Sequence, residues 1–257
     1  PEWNADQFIG CGQCAFACPN AKIRPFLMTE EECTKASAIA KDNGFELTYK
    51  DPTPAYKGAK EAGLKFRIQL ATENCVGCGV CMTVCPVGDG TKENPRALTA
   101  KPIATQMKQE PVADYLYKET PAKPQYGMAN TVMGVSLERP YFEVSGCCPG
   151  CGEAPYYRLA SQMFGKDMMI ANATGCSMIY CSGTPSNPFA TDENGEGIAW
   201  ANSLFEITPG MAFGSLLPRA KRELETLGTL ERILIKLNLN SRMDFSLISM
   251  QMMNVRS

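Results

Sequence analysis

The pattern of apolar and polar residues predicts short elements in the first hundred residues. Residues 64–70, Leu-Lys-Phe-Arg-Ile-Gln-Leu, alternate between apolar and polar and predict a strand. Residues 97–103 predict another short strand. Thr29 precedes three glutamates and the alanines of residues 36–40, and this order predicts the start of a helix.

Between residues 140 and 171 the pattern predicts a strand, a helix and a second strand. Residues 140–146 predict the first strand, and residues 168–171 predict a buried one. The helix spans residues 156–164, with Pro155 in its first turn and Gly165 at its end. Its predicted apolar face carries Tyr156, Leu159, Ala160 and Met163. This order of elements is typical of an open α/β sheet.

Changes in composition divide the chain into four predicted parts. Residues 104–135 are polar, contain three prolines and lack clear periodicity, as is typical of a linker. Residues 216–237 show an amphipathic helical pattern. The predicted division is 1–110 with an insert at 31–63, a linker at 111–135, a second domain starting over 136–206, and a helical tail at 207–257.

The composition of the chain excludes several classes of function. The chain has 257 residues, a formal net charge of −2 and no histidine. The charge favours neither nucleic acid nor an anionic membrane as partner, and no apolar run approaches the roughly 18 residues of a membrane span. Without histidine, His-ligated zinc, Rieske centres, haem with a proximal histidine and Ser-His-Asp catalysis are excluded. Thirteen cysteines, grouped in C-x2-C units, favour metal binding in a reducing cytoplasm.

One motif has the spacing by which bacterial ferredoxins hold cubane iron–sulfur clusters. It reads C-x2-C-x2-C-x3-C-P and consists of Cys75, Cys78, Cys81, Cys85 and Pro86. In two-cluster ferredoxins the fourth cysteine of such a motif binds the other cluster, so this spacing predicts a partner motif. The alternative interpretation is that these residues are buried structural cysteines or form disulfides.

The partner motif lies near the start of the chain and lacks one ligand. It contains Cys11, Cys14 and Cys18, but Phe8 stands where the repeat requires a cysteine. One predicted cluster is held by Cys75, Cys78, Cys81 and Cys18, and the other by Cys11, Cys14 and Cys85. The second site is compatible with a three-iron cluster, an external ligand or no cluster. Cys33 is interpreted as a loop thiol of the insert.

A third set of cysteines follows in the second half. Cys148 and Cys151 lie on one loop, and Cys176 follows the next predicted strand, in the loop of residues 172–176. These three residues can converge on a third cluster. A four-thiolate zinc site that adds Cys181 is the alternative.

Taken together, these segments resemble the C-terminal part of pyruvate:ferredoxin (flavodoxin) oxidoreductase, the single-chain 2-oxoacid oxidoreductase of anaerobic metabolism. The order and spacing of the segments match over roughly three-quarters of the chain. The matching segments are Cys11–Pro19 with Ile23–Pro25, Gly63–Ile68, Cys75–Pro86, Cys148–Tyr156, Ile170–Ser177 and Ala199–Glu206.

The resemblance implies an α+β chain in which a ferredoxin-like two-[4Fe-4S] domain precedes an incomplete α/β thiamine-diphosphate-binding domain. In the complete enzyme, thiamine diphosphate with Mg²⁺ decarboxylates pyruvate, and coenzyme A accepts the acetyl group. Electrons pass through three [4Fe-4S] clusters to ferredoxin or flavodoxin, and the enzyme is a homodimer.

The resemblance also implies roles for particular residues. Cys148, Cys151 and Cys176 would hold the cluster nearest the thiamine, with the fourth ligand absent from this chain. Glu153 and Cys176 would lie against the thiamine diphosphate, and no catalytic residue is assigned. Because the resemblance fades after Glu206 and the chain begins at Pro1, we expect a truncated or frame-shifted reading, or a fragment, that is inactive alone.

Two other functions compete with this interpretation. One is a ferredoxin-like electron-carrier module without catalysis of its own. The other is a zinc or structural protein. A plain carrier has no use for the paired segments 148–153 and 172–176, and the zinc hypothesis requires a protein without iron.

Overall fold

The computed structural model of the protein describes residues 1–128, 130–173, 175–181 and 187–203. The predicted helix over 216–237, the tail at 207–257 and the last residues of the 199–206 segment lie outside the described residues. Among the helices that are described, none combines the length and the apolar composition needed to cross a membrane.

The described residues form a mixed α/β structure with short elements. The strands are β1 (Glu2–Trp3), β2 (Ile23–Met28), β3 (Lys65–Leu70), β4 (Leu98–Thr99), β5 (Met169–Ala173) and β6 (Ala199–Ser203). The α-helices are α1 (Gln13–Ala17), α2 (Glu30–Asp42), α3 (Val80–Thr83), α4 (Ile103–Gln106), α5 (Glu110–Lys118), α6 (Val132–Ser136), α7 (Ala154–Phe164) and α8 (Cys176–Cys181). Short 3-10 turns span Met107–Gln109, Pro124–Tyr126 and Gly165–Asp167.

The strands of the described part pair in three two-stranded sheets. β2 and β3 are antiparallel, from the pair Ile23 and Leu70 to the pair Met28 and Lys65. β1 and β4 are antiparallel, and β5 and β6 are parallel. The predicted strands at 64–70 and 97–103 are therefore confirmed, the second as only two residues.

A capping box starts helix α2, as the sequence predicts. The backbone N–H of Glu32 donates to Thr29 Oγ1 at 3.2 Å, and the backbone N–H of Thr29 donates to Glu32 Oε2 at 2.7 Å. These two bonds satisfy donors that a helix N-terminus otherwise leaves free. Cys33 lies within this helix rather than in a loop, so its predicted placement is wrong.

An aromatic core lies beneath the antiparallel pair β2–β3. The ring of Phe66 stacks on Phe8 with centroids 4.9 Å apart and contacts Tyr56 at 5.1 Å. Trp3 approaches both Phe8 and Phe66 edge-on. Cys14 is buried in the same core, so the first cysteine motif is anchored on the β2–β3 pair.

The segment interpreted as a linker between domains begins with a packed helix. Val112 and Leu116 of α5 are fully buried and pack against Ala36 and Ala40 of α2. The nine residues of α5 are too short a stretch for a helical period to stand out in the sequence. The division of the chain into domains stays a prediction.

Two other predictions fail in the second half. Residues 140–146 form no strand, and Phe142 makes only an isolated bridge to Phe189. The side chain of Phe142 is instead fully buried in a small third core. Helix α7 ends at Gly165 as predicted, yet Tyr156 and Met163 of its predicted apolar face are 72% and 59% exposed.

Helix α7 is oriented by hydrogen bonds rather than by its apolar residues. Its buried face carries Ala154, Arg158, Ser161 and Gln162. The Gln162 side chain donates to the carbonyl oxygens of Val135 and Glu138, at 3.0 and 2.8 Å. Satisfying these buried polar groups determines which side of the helix faces inward.

We predict that Thr29→Ala destabilises the chain by about 1 kcal/mol, because the cap of α2 is lost. The measurement is the urea midpoint of the metal-free protein. Thr34→Ala is the control, because the exposed Thr34 hydroxyl only bonds the Glu30 carbonyl within the same helix. Equal midpoints for the two variants would contradict the role of the cap.

Candidate metal centres

Two short helices present the cysteines of the first two motifs. α1 carries Cys14 and leads into Cys18, and α3 carries Cys81. Each helix is preceded by a glycine in the left-handed region, Gly12 at φ 71° and Gly79 at φ 80°. The two motifs are therefore an internal repeat in structure as well as in sequence, and glycine is needed at this position because other residues are strained there.

Four cysteines from both motifs line one cavity. Its volume is about 180 Å³, and Cys18, Cys75, Cys78 and Cys81 lie on its wall together with apolar residues such as Ile23. Burial raises the pKa of the Cys81 thiol to about 12, and repulsion from the thiols of Cys18, Cys75 and Cys78 adds to the effect, opposed by the amino terminus. The four thiols are thus close enough to interact.

A second group contains the remaining cysteines of the two motifs. Burial raises the pKa of the Cys14 thiol to about 12, and the neighbouring thiols of Cys11, Cys81 and Cys85 raise it further. Phe8 lies in the aromatic core at 6% exposure, so an apolar ring fills the position that the repeat assigns to a fourth thiol. Cys33 packs against the separate α2–α5 core.

The loop of Cys148 and Cys151 adjoins the first group. The Cys151 backbone N–H donates to the Cys148 carbonyl at 3.0 Å, which makes the loop a tight turn. A Cβ added at Gly150 of this loop would lie 3.4 Å from Val80 Cγ2 of α3 and 3.7 Å from the Cβ of Cys78. The third cysteine motif therefore borders the cavity of the first group.

The other residues predicted for this third site are exposed. Cys176 begins α8 and is exposed, and Glu153 caps α7 and is also exposed. The loop predicted at 172–176 is shorter than expected, because β5 continues to Ala173. Cys151 packs against the third core, which α8 also enters through Tyr180.

The four-thiolate zinc alternative does not fit the described residues. Cys181 is fully buried among Phe142, Ala154 and Tyr180, whereas Cys176 is exposed at the other end of α8. Within the described ranges, no three Cys, Asp or Glu side chains surround a common point as ligands of a single ion would. The four thiolates of a cubane cluster each bind a different iron, so they lie farther apart than the four ligands of one zinc ion. The finding therefore argues against a zinc site and not against a cluster.

Buried cations surround Cys18. The Lys22 backbone N–H donates to Cys18 Sγ at 3.4 Å. The side chains of Lys22 and Arg24 share the carboxylate of Glu143. Arg158 of α7 is 2% exposed, donates to the carbonyl of Phe16 in α1, and pairs with no carboxylate in the described part of the chain.

This excess of positive charge is a signal that sequence reasoning missed. Burial lowers the pKa of Arg158 to about 10, and the neighbouring Cys18 thiol opposes that shift. Desolvated cations are costly unless an anion compensates them. A cluster ligated by thiolates carries net negative charge. The hydrogen-bond donors and the positive charges near Cys18 are therefore compatible with such a cluster.

Comparison with known proteins identifies the first two motifs. Residues 9–88 match the family described as a 4Fe-4S dicluster domain. The match begins directly after Phe8 and includes all seven cysteines of the two groups. The expectation of a ferredoxin-like cluster domain is confirmed at this level.

The similarity extends well beyond that domain. The chain is 41% identical over 218 residues to a pyruvate-flavodoxin oxidoreductase of Enterobacter agglomerans, which covers 84% of this chain. It is 39% identical over 227 residues to a pyruvate:ferredoxin oxidoreductase of Moorella thermoacetica, which covers 88%. The chain is homologous to a segment of the pyruvate:ferredoxin and pyruvate-flavodoxin oxidoreductases.

The chain corresponds to a small part of those oxidoreductases. It spans 17% and 18% of the length of these two relatives. A third relative, a mitochondrial pyruvate dehydrogenase [NADP(+)] of Euglena gracilis, is 36% identical over 222 residues, which are 86% of this chain and 11% of the relative. The names of the three relatives share pyruvate and differ in the electron acceptor.

We predict that Gly79→Ala destabilises the metal-free chain by roughly 1–2 kcal/mol, because alanine is strained at φ 80°. The added Cβ would meet only the end of the Met82 side chain, at 3.7 Å, so backbone strain is the main effect. Urea unfolding measures the difference. Gly152→Ala, with open space around its Cβ, is the matched control. A Gly79→Ala midpoint no lower than that of the control would contradict the prediction.

Proposed function

We propose that this chain carries single electrons through iron–sulfur clusters as a segment of a 2-oxoacid:ferredoxin or flavodoxin oxidoreductase. The observation that carries the proposal is the cavity lined by Cys18, Cys75, Cys78 and Cys81, which unites thiols from both motifs. A dicluster ferredoxin distributes its ligands in this interleaved way.

The two groups of cysteines are the proposed cluster sites. Cys18, Cys75, Cys78 and Cys81 hold one [4Fe-4S] cluster. Cys11, Cys14 and Cys85 hold the other, with one iron position lacking a protein thiolate because residue 8 is phenylalanine. The electrostatic neighbours of Cys81 and of Cys14 support this division, although Cys81 borders both groups.

The third cysteine set extends the path toward a thiamine site. Cys148, Cys151 and Cys176 are proposed as ligands of a third cluster, with Glu153 and Cys176 lining the thiamine diphosphate. The contact between Gly150 and α3 supports an order in which electrons pass from this site to the Cys18 cluster and then to the Cys14 cluster. Electron transfer is favoured between neighbouring centres, and in this order each proposed cluster is next to the one that follows it.

When bound, thiamine diphosphate with Mg²⁺ supplies the decarboxylation chemistry and the clusters supply one-electron acceptors. The chain's own residues hold and shield these groups. The aromatic core limits solvent access to the side of Cys14, and Lys22, Arg24 and Arg158 offset negative charge near Cys18. Both features are means by which a protein sets a cluster's potential.

For the complete enzyme we propose pyruvate and coenzyme A as substrates, ferredoxin or flavodoxin as the acceptor, and a homodimer. The relatives' names support the 2-oxoacid and the two candidate acceptors. An electron-carrier module without catalysis is less well supported, because the similarity includes the third cysteine motif and extends beyond residue 88.

The test is anaerobic reconstitution of the full chain with iron and sulfide. We predict iron and sulfide in both cysteine groups, and loss of about four irons in Cys78→Ser, because that site loses a ligand. Iron and sulfide assays with EPR of the reduced protein provide the measurement. Cys33→Ser is the control, because Cys33 packs in the α2–α5 core.

A chain that binds stoichiometric zinc but no iron would contradict the proposed function. An equal iron loss in Cys78→Ser and Cys33→Ser would contradict the ligand assignment alone.

We predict that Arg158→Gln lowers the reduction potential of the Cys18 cluster, because a buried cation beside the added electron is removed. The expected change is on the order of 1 kcal/mol, which corresponds to tens of millivolts. An EPR-monitored redox titration measures it. Arg158→Lys, which keeps the charge, should shift the potential less. Equal potentials in Arg158→Gln and the unmodified chain, at equal iron content, would refute the electrostatic role.

A further inference from the structure

Two hydroxyl groups on one turn are buried without a hydrogen-bond partner in the described part of the chain. They belong to Thr53 and Tyr56. The backbone N–H of Tyr56 donates to the Thr53 carbonyl at 2.9 Å and closes the turn. Tyr56 is 2% exposed, so solvent does not readily satisfy its hydroxyl. Native proteins rarely leave such groups unpaired, and each case calls for an explanation.

The turn lies against the segment that carries Cys11. A Cβ added at Gly10 would collide with the side chain of Thr53. Tyr56 is buried in the same core as Cys14. Burial raises the pKa of the Tyr56 hydroxyl, and the neighbouring Cys14 and Cys11 add to that shift. The unpaired phenol therefore borders the group of three cysteines.

The ring of Tyr56 is held in place by the aromatic core. It packs on Phe66 at 5.1 Å, and Phe66 also stacks on Phe8, the residue that replaces the expected cysteine. A phenylalanine would pack at position 56 equally well, since the hydroxyl has no hydrogen-bond partner among the described residues. The hydroxyl is therefore available to donate to a bound group.

We propose that Tyr56 donates a hydrogen bond from its hydroxyl to a sulfur of the cluster held by Cys11, Cys14 and Cys85. The inference rests on the proposed cluster sites and adds a contact that the cysteine motifs do not assign. Three-iron and four-iron clusters both present sulfur acceptors, so the contact does not depend on which form is bound.

The hydrogen bond has a consequence for electron transfer. Donors to cluster sulfurs offset the negative charge that reduction adds, and hydrogen bonds to the sulfurs are among the determinants of the potential. Tyr56 would therefore raise the potential of the three-cysteine cluster and favour electron flow toward it. The Cys18 cluster would be unaffected.

The test compares Tyr56→Phe with the unmodified chain after anaerobic reconstitution. Iron and sulfide contents should be equal. At a fixed potential, the ratio of reduced to oxidised three-cysteine cluster should fall about tenfold, which is about 59 mV for one electron. Electron–nuclear double resonance after exchange into D2O should show a coupled exchangeable proton that Tyr56→Phe lacks.

Tyr49→Phe is the matched control. The Tyr49 hydroxyl already has protein partners, Ser37 Oγ at 2.7 Å and the Cys33 carbonyl at 2.9 Å. Its loss should leave both cluster signals unchanged. Far-UV circular dichroism and thermal melting of the metal-free proteins monitor folding, and Tyr56→Phe should melt no lower than the unmodified chain because it loses only an unpaired group.

Three results would overturn the inference. An unchanged potential and proton coupling in Tyr56→Phe at full iron content would make Tyr56 purely structural. Loss of one iron in Tyr56→Phe would indicate that the phenol oxygen binds iron directly. An unmodified chain that binds only the Cys18 cluster would refute the second cluster site and the inference with it, whereas an iron-free chain would refute the proposed function itself.

Discussion

The packing of α1 against α3 is the contact on which the candidate centres depend. Each helix belongs to a different cysteine motif, and each enters its motif through a left-handed glycine. Their approach places Cys18 of the first motif among three cysteines of the second, in one cavity. Neither motif forms that site alone, and the core beneath the β2–β3 pair contacts cysteines of both motifs.

Charge compensation is the second constraint. Lys22 and Arg158 lie near Cys18, and Glu143 is the carboxylate that pairs with Lys22 and Arg24. Arg158 comes from α7, so the polypeptide that follows the third cysteine motif also stabilises the region of the first two. The segment that carries the third cysteine motif and the dicluster domain are thereby connected by a buried guanidinium as well as by the Gly150 contact.

Sequence alone predicted the features that depend on local spacing. The cysteine motifs, the strand at 64–70, the capped start of α2 and the end of α7 at Gly165 are all set by neighbouring residues. The features that were missed depend on distant ones. The buried face of α7 depends on hydrogen bonds to the carbonyl oxygens of Val135, Glu138 and Phe16. These acceptors lie outside the helix, so its own apolar pattern does not reveal them. Likewise, Phe8 looks like a lost ligand in the sequence, and only the stacking on Phe66 shows it as a core residue.

The central claim is that each cluster takes ligands from both motifs, and EPR of three cysteine variants tests it most directly. The reduced chain should show a separate signal for each of the two clusters of these motifs. Cys18→Ser should perturb the same signal as Cys78→Ser of the other motif, whereas Cys14→Ser should perturb the second signal. If Cys18→Ser and Cys14→Ser perturbed one signal and Cys78→Ser the other, each motif would hold its own cluster and the account would be wrong.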